Sequence, residues 1–589
     1  MRHHVAQFQS WLARQGAEKP FARLVEHFVS RSLRGGGESD SDELNLSTGL
    51  LLMLLPIPGT FVSLIYYEKY STFLQILRKD LIADPYSASL GDEYLFIVVS
   101  MVLTGILAVW RWDGVLLDRR DFANLVHLPV APSRLFLSNL VAILFVTMLF
   151  TFEVNIGSSV LFPIVVSSSY PDLSVYAGFA FGHAAAVGLA SVFTFVAVVA
   201  LVGLSMFLFP YWIFRRISQY LRIALIVFLL FLLLTTFLIG PLTSQLAHAP
   251  TSFLRFLPPV WFLGLCENLR HSAAPAFHQL ARIACFALGS AATLALIGCS
   301  LSYRRCFLSV PETVEPISSK SSLLLTLLLR FANRWYVRTP ASRACFGFAV
   351  RTLTRSEKHF TALGAFAGLS LLLCVQTLLP LAHHGAGNNG SIPSSPILSL
   401  PLIVIYCLVV GMRFAFEIPA DLRSNWIFRT QLDANLGESV FLGRALLWTM
   451  IAPFLLFVCV PAYAYLDGWG IAAIHLLFLT TMAALLIETM ILRLRKIPFT
   501  CSVPIFKENA FVTIFLLFIG FYLFVRVGSF LEYVTLMDPV RVILLVSVLG
   551  GWWLAVRQFR SNLLDMDRAI IFEEKPVEAV QVLGLHTTR

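Results

Sequence analysis

Apolar runs long enough to cross a bilayer recur along nearly the whole chain, and this recurrence limits the possible folds more than any other feature. A helix needs about 20 apolar residues to span the hydrocarbon. Such runs are predicted at 46–67, 93–112, 135–165, 176–209, 221–243, 281–303, 359–381, 396–418, 441–465, 470–492, 510–530 and 538–557. Only 13% of the 589 residues are charged, against about 25% in soluble proteins. The sequence therefore predicts an all-α, polytopic membrane protein with about 12 transmembrane helices and no large soluble domain.

The third and fourth runs, 135–165 and 176–209, are longer than one crossing requires. Tilting of a helix, or its projection beyond the bilayer, accommodates extra length. A proline inside a helix removes a backbone donor and clashes with the preceding turn. Pro163 therefore predicts a break in the third run.

Basic residues are concentrated in alternate segments between the runs. With a cytoplasmic N-terminus, 36 of the 44 Lys and Arg residues fall in inside segments, and the outside loop 382–395 has none. Cytoplasmic loops of membrane proteins are enriched in Lys and Arg. Both termini are therefore predicted to be cytoplasmic.

The order of the runs predicts two pseudo-repeated six-helix halves, related by an axis along the membrane normal. The predicted organisation is a cytoplasmic or interfacial N-terminal helix with an acidic linker at 1–45, a first half at 46–303, a cytoplasmic connector at 304–358, a second half at 359–557 and a cytoplasmic tail at 558–589. Residues 4–31 and 321–335 mix large apolar and basic residues. Each is interpreted as a helix in the membrane interface or as a cytoplasmic helix packed on the bundle.

Motifs for catalysis and metal binding are absent from the sequence. A Walker A loop requires a Gly-Lys dipeptide, and the chain contains none. HExxH, GxSxG and CxxC are also missing, and the nine cysteines are interpreted as packing residues. The basic residues are not gathered on one domain, which disfavours nucleic acid as a partner. We therefore predict no catalytic residue, no metal and no cofactor in this chain.

Polar residues inside the apolar runs are candidates for function, because burying charge in a membrane is costly. Arg413, Glu417 and Glu488 lie near the predicted inner interface, where they can snorkel or pair. Glu153 and Asn155 lie deeper, in the third run. They are interpreted either as members of a structural contact or as lining residues of a translocation path.

The segment between the second and third runs, 110–142, has a charged start, an apolar middle and a basic residue where the chain re-enters the membrane. The residues that define this pattern are Asp118, Arg119, Arg120, Asp121, Phe122, Leu125, Leu128, Pro129 and Arg134. Spacings of three would place the large apolar members on one side of a helix. Exposed apolar residues at a membrane face indicate a docking surface, although the segment could instead fold back on its own bundle.

This pattern, with its Leu-Pro-Val sequence at 128–130, resembles the permease subunits of type-2 ABC exporters. The resemblance implies that the loop is a coupling helix that inserts into a separate ATPase subunit, where ATP is bound. It also implies an amphipathic helix before the first span and short re-entrant helices between the fifth and sixth spans, where residues 252–268 lie.

The second half of the chain fits the resemblance only in its layout. Its corresponding loop, 420–443, lacks Leu-Pro-Val, and its outside loop 531–537 is too short for re-entrant helices. The residues that would form a second coupling loop are Asp421, Arg423, Trp426, Phe428 and Leu432.

The resulting hypothesis is a double-length export permease of the bacterial inner membrane, whose partners are an ABC ATPase subunit and membrane lipid. A secondary transporter of 12 helices, driven by an ion gradient, is the alternative, followed by a membrane enzyme or assembly scaffold. Co-purification of a nucleotide-binding subunit distinguishes the first hypothesis from the second.

Overall fold

The computed structural model of the protein is helical wherever it describes regular structure. It describes residues 20–34, 56–71, 75, 85–110, 112, 132–167, 173–239, 254–270, 274–309, 339–384, 394–420, 428, 436–492, 494–501 and 510–566. No β-strand occurs within these ranges. In a bilayer a helix satisfies its own backbone polar groups, which accounts for the uniform secondary structure.

The chain divides into two compact units, Met1–Ile317 and Ser318–Arg589. Apart from the single turns Pro85–Ala88 and Leu254–Phe256, the described helices of the first unit are α1 Pro20–Arg34, α2 Ile57–Tyr70, α3 Leu90–Trp110, α4 Pro132–Ser167, α5 Leu173–Leu208, α6 Tyr211–Ile239, α7 Pro258–Leu269 and α8 Pro275–Ser309. We call the end of this bundle where α3 ends and α4 begins its loop end, and the opposite end its far end.

The second unit has a similar order of long helices. They are α9 Pro340–Arg355, α10 Glu357–His384, α11 Ser395–Ala415, α12 Leu436–Phe454, α13 Val460–Asp467, α14 Trp469–Met490, α15 Ala510–Tyr522, α16 Gly528–Met537 and α17 Val542–Met566. The π-helical turn Leu455–Cys459 joins α12 to α13, and Leu523–Val527 joins α15 to α16. Its loop end lies where α11 ends and α12 begins, and its far end where α13 ends and α14 begins.

Eleven segments within the described residues are long and apolar enough to cross a membrane. They coincide with the second to twelfth predicted runs. Of the first run, 46–67, the structure describes only the part that belongs to α2. The prediction of an all-α, polytopic membrane protein is confirmed.

The predicted break at Pro163 is wrong. Helix α4 continues through Pro163 to Ser167. The proline lies close to the end of the helix and removes a single backbone hydrogen bond, the one that the amide of residue 163 would donate to the Ser159 carbonyl. In the last turn the Ser167 hydroxyl donates to the Pro163 carbonyl at 2.6 Å. A break at this depth would instead expose backbone groups to lipid.

Helix α1, which covers part of the amphipathic segment 4–31, packs against α4. Its buried residues are Leu24, Val25, Phe28 and Val29, in one cluster with Leu135, Ala142, Val146 and Phe150 of α4. These positions recur at three- and four-residue spacing, as expected for one face of a helix. The described part of this segment is therefore a helix whose apolar face packs on α4; its position at the membrane interface or in the cytoplasm stays a prediction.

A short helix distinguishes the first unit from the second. Helix α7 begins at Pro258, falls within the segment where the resemblance places re-entrant helices, and packs against α3, α5 and α8. In the second unit only the 3-10 turn Pro539–Arg541 separates Met537 from Val542. The predicted bounds of this outside loop, 531–537, are wrong, because these residues belong to α16 and the connection lies at 538–541. The connection is nevertheless short, as predicted.

Candidate functional site

Most residues of the two candidate coupling loops lie outside the described residues. These are Asp118, Arg119, Arg120, Asp121, Phe122, Leu125, Leu128 and Pro129 in the first loop, and Asp421, Arg423, Trp426 and Leu432 in the second. The structure describes Arg134, which is exposed in the first turn of α4, and Phe428. It also describes the points where each loop leaves and rejoins the bundle, and these points carry the clearest geometry.

The first loop leaves the bundle through a buried tryptophan. Trp112 is 1% exposed and belongs to an apolar cluster with Ile143 of α4, Val198 of α5 and Phe214 of α6. The guanidinium of Arg222, also on α6, lies 5.6 Å from the Trp112 ring centroid, a cation–π distance. The start of the first loop is therefore anchored to three helices, mainly by apolar contact.

The second loop leaves the bundle through buried charges. Glu417 accepts hydrogen bonds from both Arg413 and Lys496, and all three side chains are less than 10% exposed. Lys496 lies in the segment between α14 and α15, where it also donates to the Cys501 carbonyl at 2.8 Å. Burial lowers the pKa of Lys496, while Glu417 acts in the opposite direction. One carboxylate thus holds two buried cations.

Hydrogen bonds to backbone carbonyls tie both ends of the second loop to the same segment. The Ala420 amide donates to the Phe499 carbonyl at 2.8 Å, and the Ser439 hydroxyl donates to the Lys496 carbonyl at 2.5 Å. Phe499 has a φ of +69°, a left-handed conformation that is rare for a bulky residue. Segment 494–501 is therefore a clamp that holds the start and the end of the loop.

Phe428, the described residue inside the second loop, packs on its own unit. Its ring centroid lies 5.0 Å from that of Phe348 in α9. Glu488, at the end of α14, also pairs within the unit, with Arg444 at 2.5 Å and with Arg560. Of the two roles predicted for Arg413, Glu417 and Glu488, snorkelling and pairing, the structure shows pairing.

Asn155 belongs to a polar contact among α3, α4 and α5. Its amide donates to the Ser191 hydroxyl at 3.2 Å. Ser191 is also hydrogen-bonded to Ser100, whose hydroxyl reaches the Val187 carbonyl at 3.0 Å. Such interhelical hydrogen bonds hold transmembrane helices together. Asn155 therefore takes part in a contact between helices, and its place in a translocation path stays a prediction.

Glu153 lies on a different face of α4 from Asn155, because two residues correspond to about 200° around a helix. It shares a face with Gly157, one turn later, and a Cβ at Gly157 would lie 2.3 Å from Thr60 Oγ1 of α2. Glu153 is 8% exposed, and the described residues include no ion-pair partner for it. The structure does not bring the two candidate path residues together.

The far end of the first unit holds a cluster of charges. Lys69 pairs with Asp92 at 2.7 Å, and the Tyr70 hydroxyl donates to the same carboxylate at 2.5 Å. Asp92 lies in the first turn of α3, where the positive end of the helix dipole also favours a carboxylate.

The short helix α7 adds further charges to this cluster. Glu267 pairs with Arg270 at 2.9 Å, and Glu93 is fully buried beside Cys266 and Glu267. Burial, together with these carboxylates, raises the pKa of the Cys266 thiol well above its ordinary value. The thiol therefore stays protonated and can donate to Glu93.

Sequence reasoning missed several of these residues. Trp112 and Lys496 lie at the edges of apolar runs, where tryptophan and lysine are common in any membrane protein. His475 and Glu532 form a buried pair in the second unit. His475 could have been found, because it is an ionisable residue inside the predicted run 470–492. Glu532 was missed because the predicted run ended at 530, whereas the apolar helical segment continues to Met537.

Comparison of the chain with family models, curated proteins and solved structures found no match. Among the described residues, no group of three or more His, Cys, Asp or Glu side chains could hold a metal ion. The candidate function therefore depends on the geometry described above and on the sequence pattern of the loops.

Proposed function

We propose that the chain is the membrane-spanning permease of an ATP-driven export system, in which a separate ATPase subunit docks on the loop between α3 and α4. The supporting observation is the anchoring of both loops. In the first unit the chain that leaves α3 is held by side chains of α4, α5 and α6. In the second unit the chain that leaves α11 is held by the segment that follows α14. A loop on a fixed base can pass a partner's movement to several helices at once.

The apolar sequence pattern supports a docking role for the first loop in particular. It carries Leu-Pro-Val and a row of large apolar residues, whereas the described residue of the second loop, Phe428, is packed on α9. We therefore propose that the first loop is the main ATPase contact. The protein would lie in the bacterial inner membrane with both termini and segment 304–358 in the cytoplasm.

An ion-driven secondary transporter is the second candidate. It is favoured by the buried His475–Glu532 pair, because ionisable residues at membrane depth are typical of ion pathways. The two candidates differ in whether the chain requires an ATPase partner.

Co-purification tests the docking site. Leu125→Asp should release the ATPase, because a carboxylate buried in the partner's cleft would be unpaired. Burial of one large apolar side chain contributes about 1.5–3 kcal/mol, so affinity should fall by roughly 10- to 100-fold. Leu432→Asp in the second loop is the matched control and should have a smaller effect. A monodisperse Leu125→Asp protein that retains the ATPase would contradict the proposed site.

Two simpler measurements test the rest of the proposal. The isolated chain should not hydrolyse ATP, since it has no phosphate-binding loop. An impermeant maleimide added outside should label Asn388→Cys but neither Leu125→Cys nor Ala341→Cys, with the parent protein as the control for native cysteines. Outside labelling of Ala341→Cys would overturn the orientation.

A further inference from the structure

A buried histidine–carboxylate pair joins two helices near the far end of the second unit. His475 of α14 and Glu532 of α16 lie 2.5 Å apart, measured from Nδ1 to Oε1. His475 is 1% exposed and Glu532 is 2% exposed. Both belong to segments that are apolar enough to cross a membrane, so the pair lies in surroundings that penalise net charge.

Helix α13 completes the surroundings of the pair. The Tyr463 ring lies 4.3 Å from the His475 ring, and its hydroxyl donates to the Ile397 carbonyl at 2.7 Å. Asp467 follows one turn later and interacts electrostatically with His475. Counted at 1.5 Å per residue from the helix ends Asp467, Trp469 and Met537, the residues Tyr463, His475 and Glu532 lie about 6–9 Å inside their helices. Side chains from three helices therefore meet at one depth.

The pair has unused hydrogen-bonding capacity. Within the part of the chain that the structure describes, His475 Nε2, Glu532 Oε2 and Asp467 Oδ2 are buried without a hydrogen-bond partner. Buried polar atoms of this kind call for a specific explanation, because leaving them unpaired costs about 1–3 kcal/mol each. A purely structural pair would be expected to satisfy them.

Charge counting identifies the ligand. A neutral imidazole beside an ionised Glu532 leaves one net negative charge buried, whereas one added proton makes the pair neutral, whether this proton resides on the imidazole or on the carboxylate. The low-polarity surroundings therefore favour uptake of a proton. The other titratable groups beside the pair are Asp467 and Tyr463, and Cys459 and Cys374 act in turn on Tyr463. Of these, Asp467 is a carboxylate, which also favours a positive ligand.

We infer that the His475–Glu532 pair is a proton-binding site of the second unit. Each helix segment that faces His475 follows directly on a π-helical turn, Leu455–Cys459 before α13 and Leu523–Val527 before α16. Such turns are rare and are frequent at functional sites. They provide places where α13 and α16 can shift and expose the pair to water, so that the proton can be exchanged.

Infrared difference spectroscopy on the full chain in lipid nanodiscs tests this site. Between mildly alkaline and mildly acidic buffer, the wild type should show a titrating band, either the carbonyl stretch of protonated Glu532 or ring modes of His475 identified by histidine isotope labelling. Glu532→Gln and His475→Asn should abolish it, and Glu532→Asp should shift its midpoint. Asp538 is an exposed carboxylate beyond the end of α16. The control variant Asp538→Asn should therefore keep the titrating band.

The outcomes decide the proposal and separate it from ATPase docking. A wild-type spectrum without a band from either residue would overturn the site, and this result needs no variant to fold. A band that persists in a monodisperse Glu532→Gln protein would assign it elsewhere and would overturn the site as well. The proton-binding site does not depend on the proposed export function. If the pair titrates but the chain recruits no ATPase, the export proposal fails and the ion-driven transporter is favoured.

Discussion

The two units anchor the same point of their helix order by different means. In the first unit Trp112 fills an apolar pocket and meets a single cation, Arg222. In the second unit Glu417 joins two buried cations, Arg413 and Lys496. In the apolar anchor, loss of one packing contact leaves the other contacts of Trp112 in place. The ionic anchor depends on all of its members, because removing one leaves the others uncompensated.

The two units also differ in where along the bundle they hold their charged groups. The first unit concentrates its described ion pairs at the far end, around Asp92 and Glu267. The second unit holds ionic contacts at its loop end and a pair that one proton makes neutral at its far end. A repeated order of helices therefore does not require a repeated chemistry, since each unit satisfies its own buried groups independently.

The largest effect is expected from Glu417→Ala. It leaves Arg413 and Lys496 buried without their carboxylate, which should reduce the free energy of unfolding by about 3–5 kcal/mol. Thermal unfolding in detergent measures this loss. Asp538→Ala, which removes an exposed pair with Arg541, should change stability by at most about 1 kcal/mol. Equal effects of the two changes would contradict the ionic anchor.

A triple variant sharpens this prediction. Replacing Arg413, Glu417 and Lys496 together by Met, Leu and Met removes every member of the ionic anchor. Such apolar replacements of a complete buried ion group are often neutral or stabilising. The triple variant should therefore unfold at a higher temperature than Glu417→Ala. If it is less stable than the single variant, the cations are not the source of the loss.

Trp112→Ala should have the next largest effect. Removing a buried tryptophan costs about 3–5 kcal/mol, and the small remaining side chain leaves a cavity between α4, α5 and α6. Unfolding midpoints in detergent test this, with Trp553→Ala as control because Trp553 is 47% exposed. Trp112→Phe should recover most of the loss, since the ring still fills the pocket. A loss with Trp112→Phe as large as with Ala would argue against an apolar anchor.

Asp92→Asn tests the far end of the first unit. The Tyr70 hydroxyl would lose a charged acceptor, and such hydrogen bonds contribute about 1.5–3 kcal/mol. Lys69→Met removes the other partner of Asp92. Because Lys69 is 41% exposed, water screens this ion pair, and the free energy of unfolding should fall by less than about 1 kcal/mol. Unfolding free energies of the two variants should differ in this order. The reverse order would place the stabilisation in the ion pair.

The smallest effect is expected from Arg222→Met. It removes the cation above Trp112 and keeps an apolar side chain of similar length, so the loss should be about 0.5–1 kcal/mol. Added salt should change the stability of this variant and of the wild type by similar amounts. A loss comparable to that of Glu417→Ala would show that the first anchor is also ionic in its energetics.

The spans could be predicted because each depends on a continuous apolar stretch. Helix α14, for example, follows the predicted run 470–492 to within two residues at each end. Pro163 was misjudged because the effect of a proline depends on its distance from the helix end, which the length of an apolar run does not define. Helix ends are set by local groups that hydropathy does not describe.

The anchors could not be predicted, because they join residues that are distant in the chain. Glu417 and Lys496 are 79 positions apart, and each by itself resembles an ordinary interfacial charge. Asn155 was recognised as unusual, but its partner Ser191 is one of many serines in apolar helices. Polarity at membrane depth thus identifies candidates, while their partners depend on how the helices are arranged around one another.

The clamp at 494–501 also sets an order of events during synthesis. Glu417 emerges from the ribosome 79 residues ahead of Lys496, and Arg413 emerges earlier still. Helices α12, α13 and α14 are made in between. Until Lys496 arrives, the end of α11 holds its charges without the second cation, and Ala420 and Ser439 have no Phe499 or Lys496 carbonyl to bind. Helix α11 therefore enters the membrane early but makes its final contacts only after α14 has been inserted.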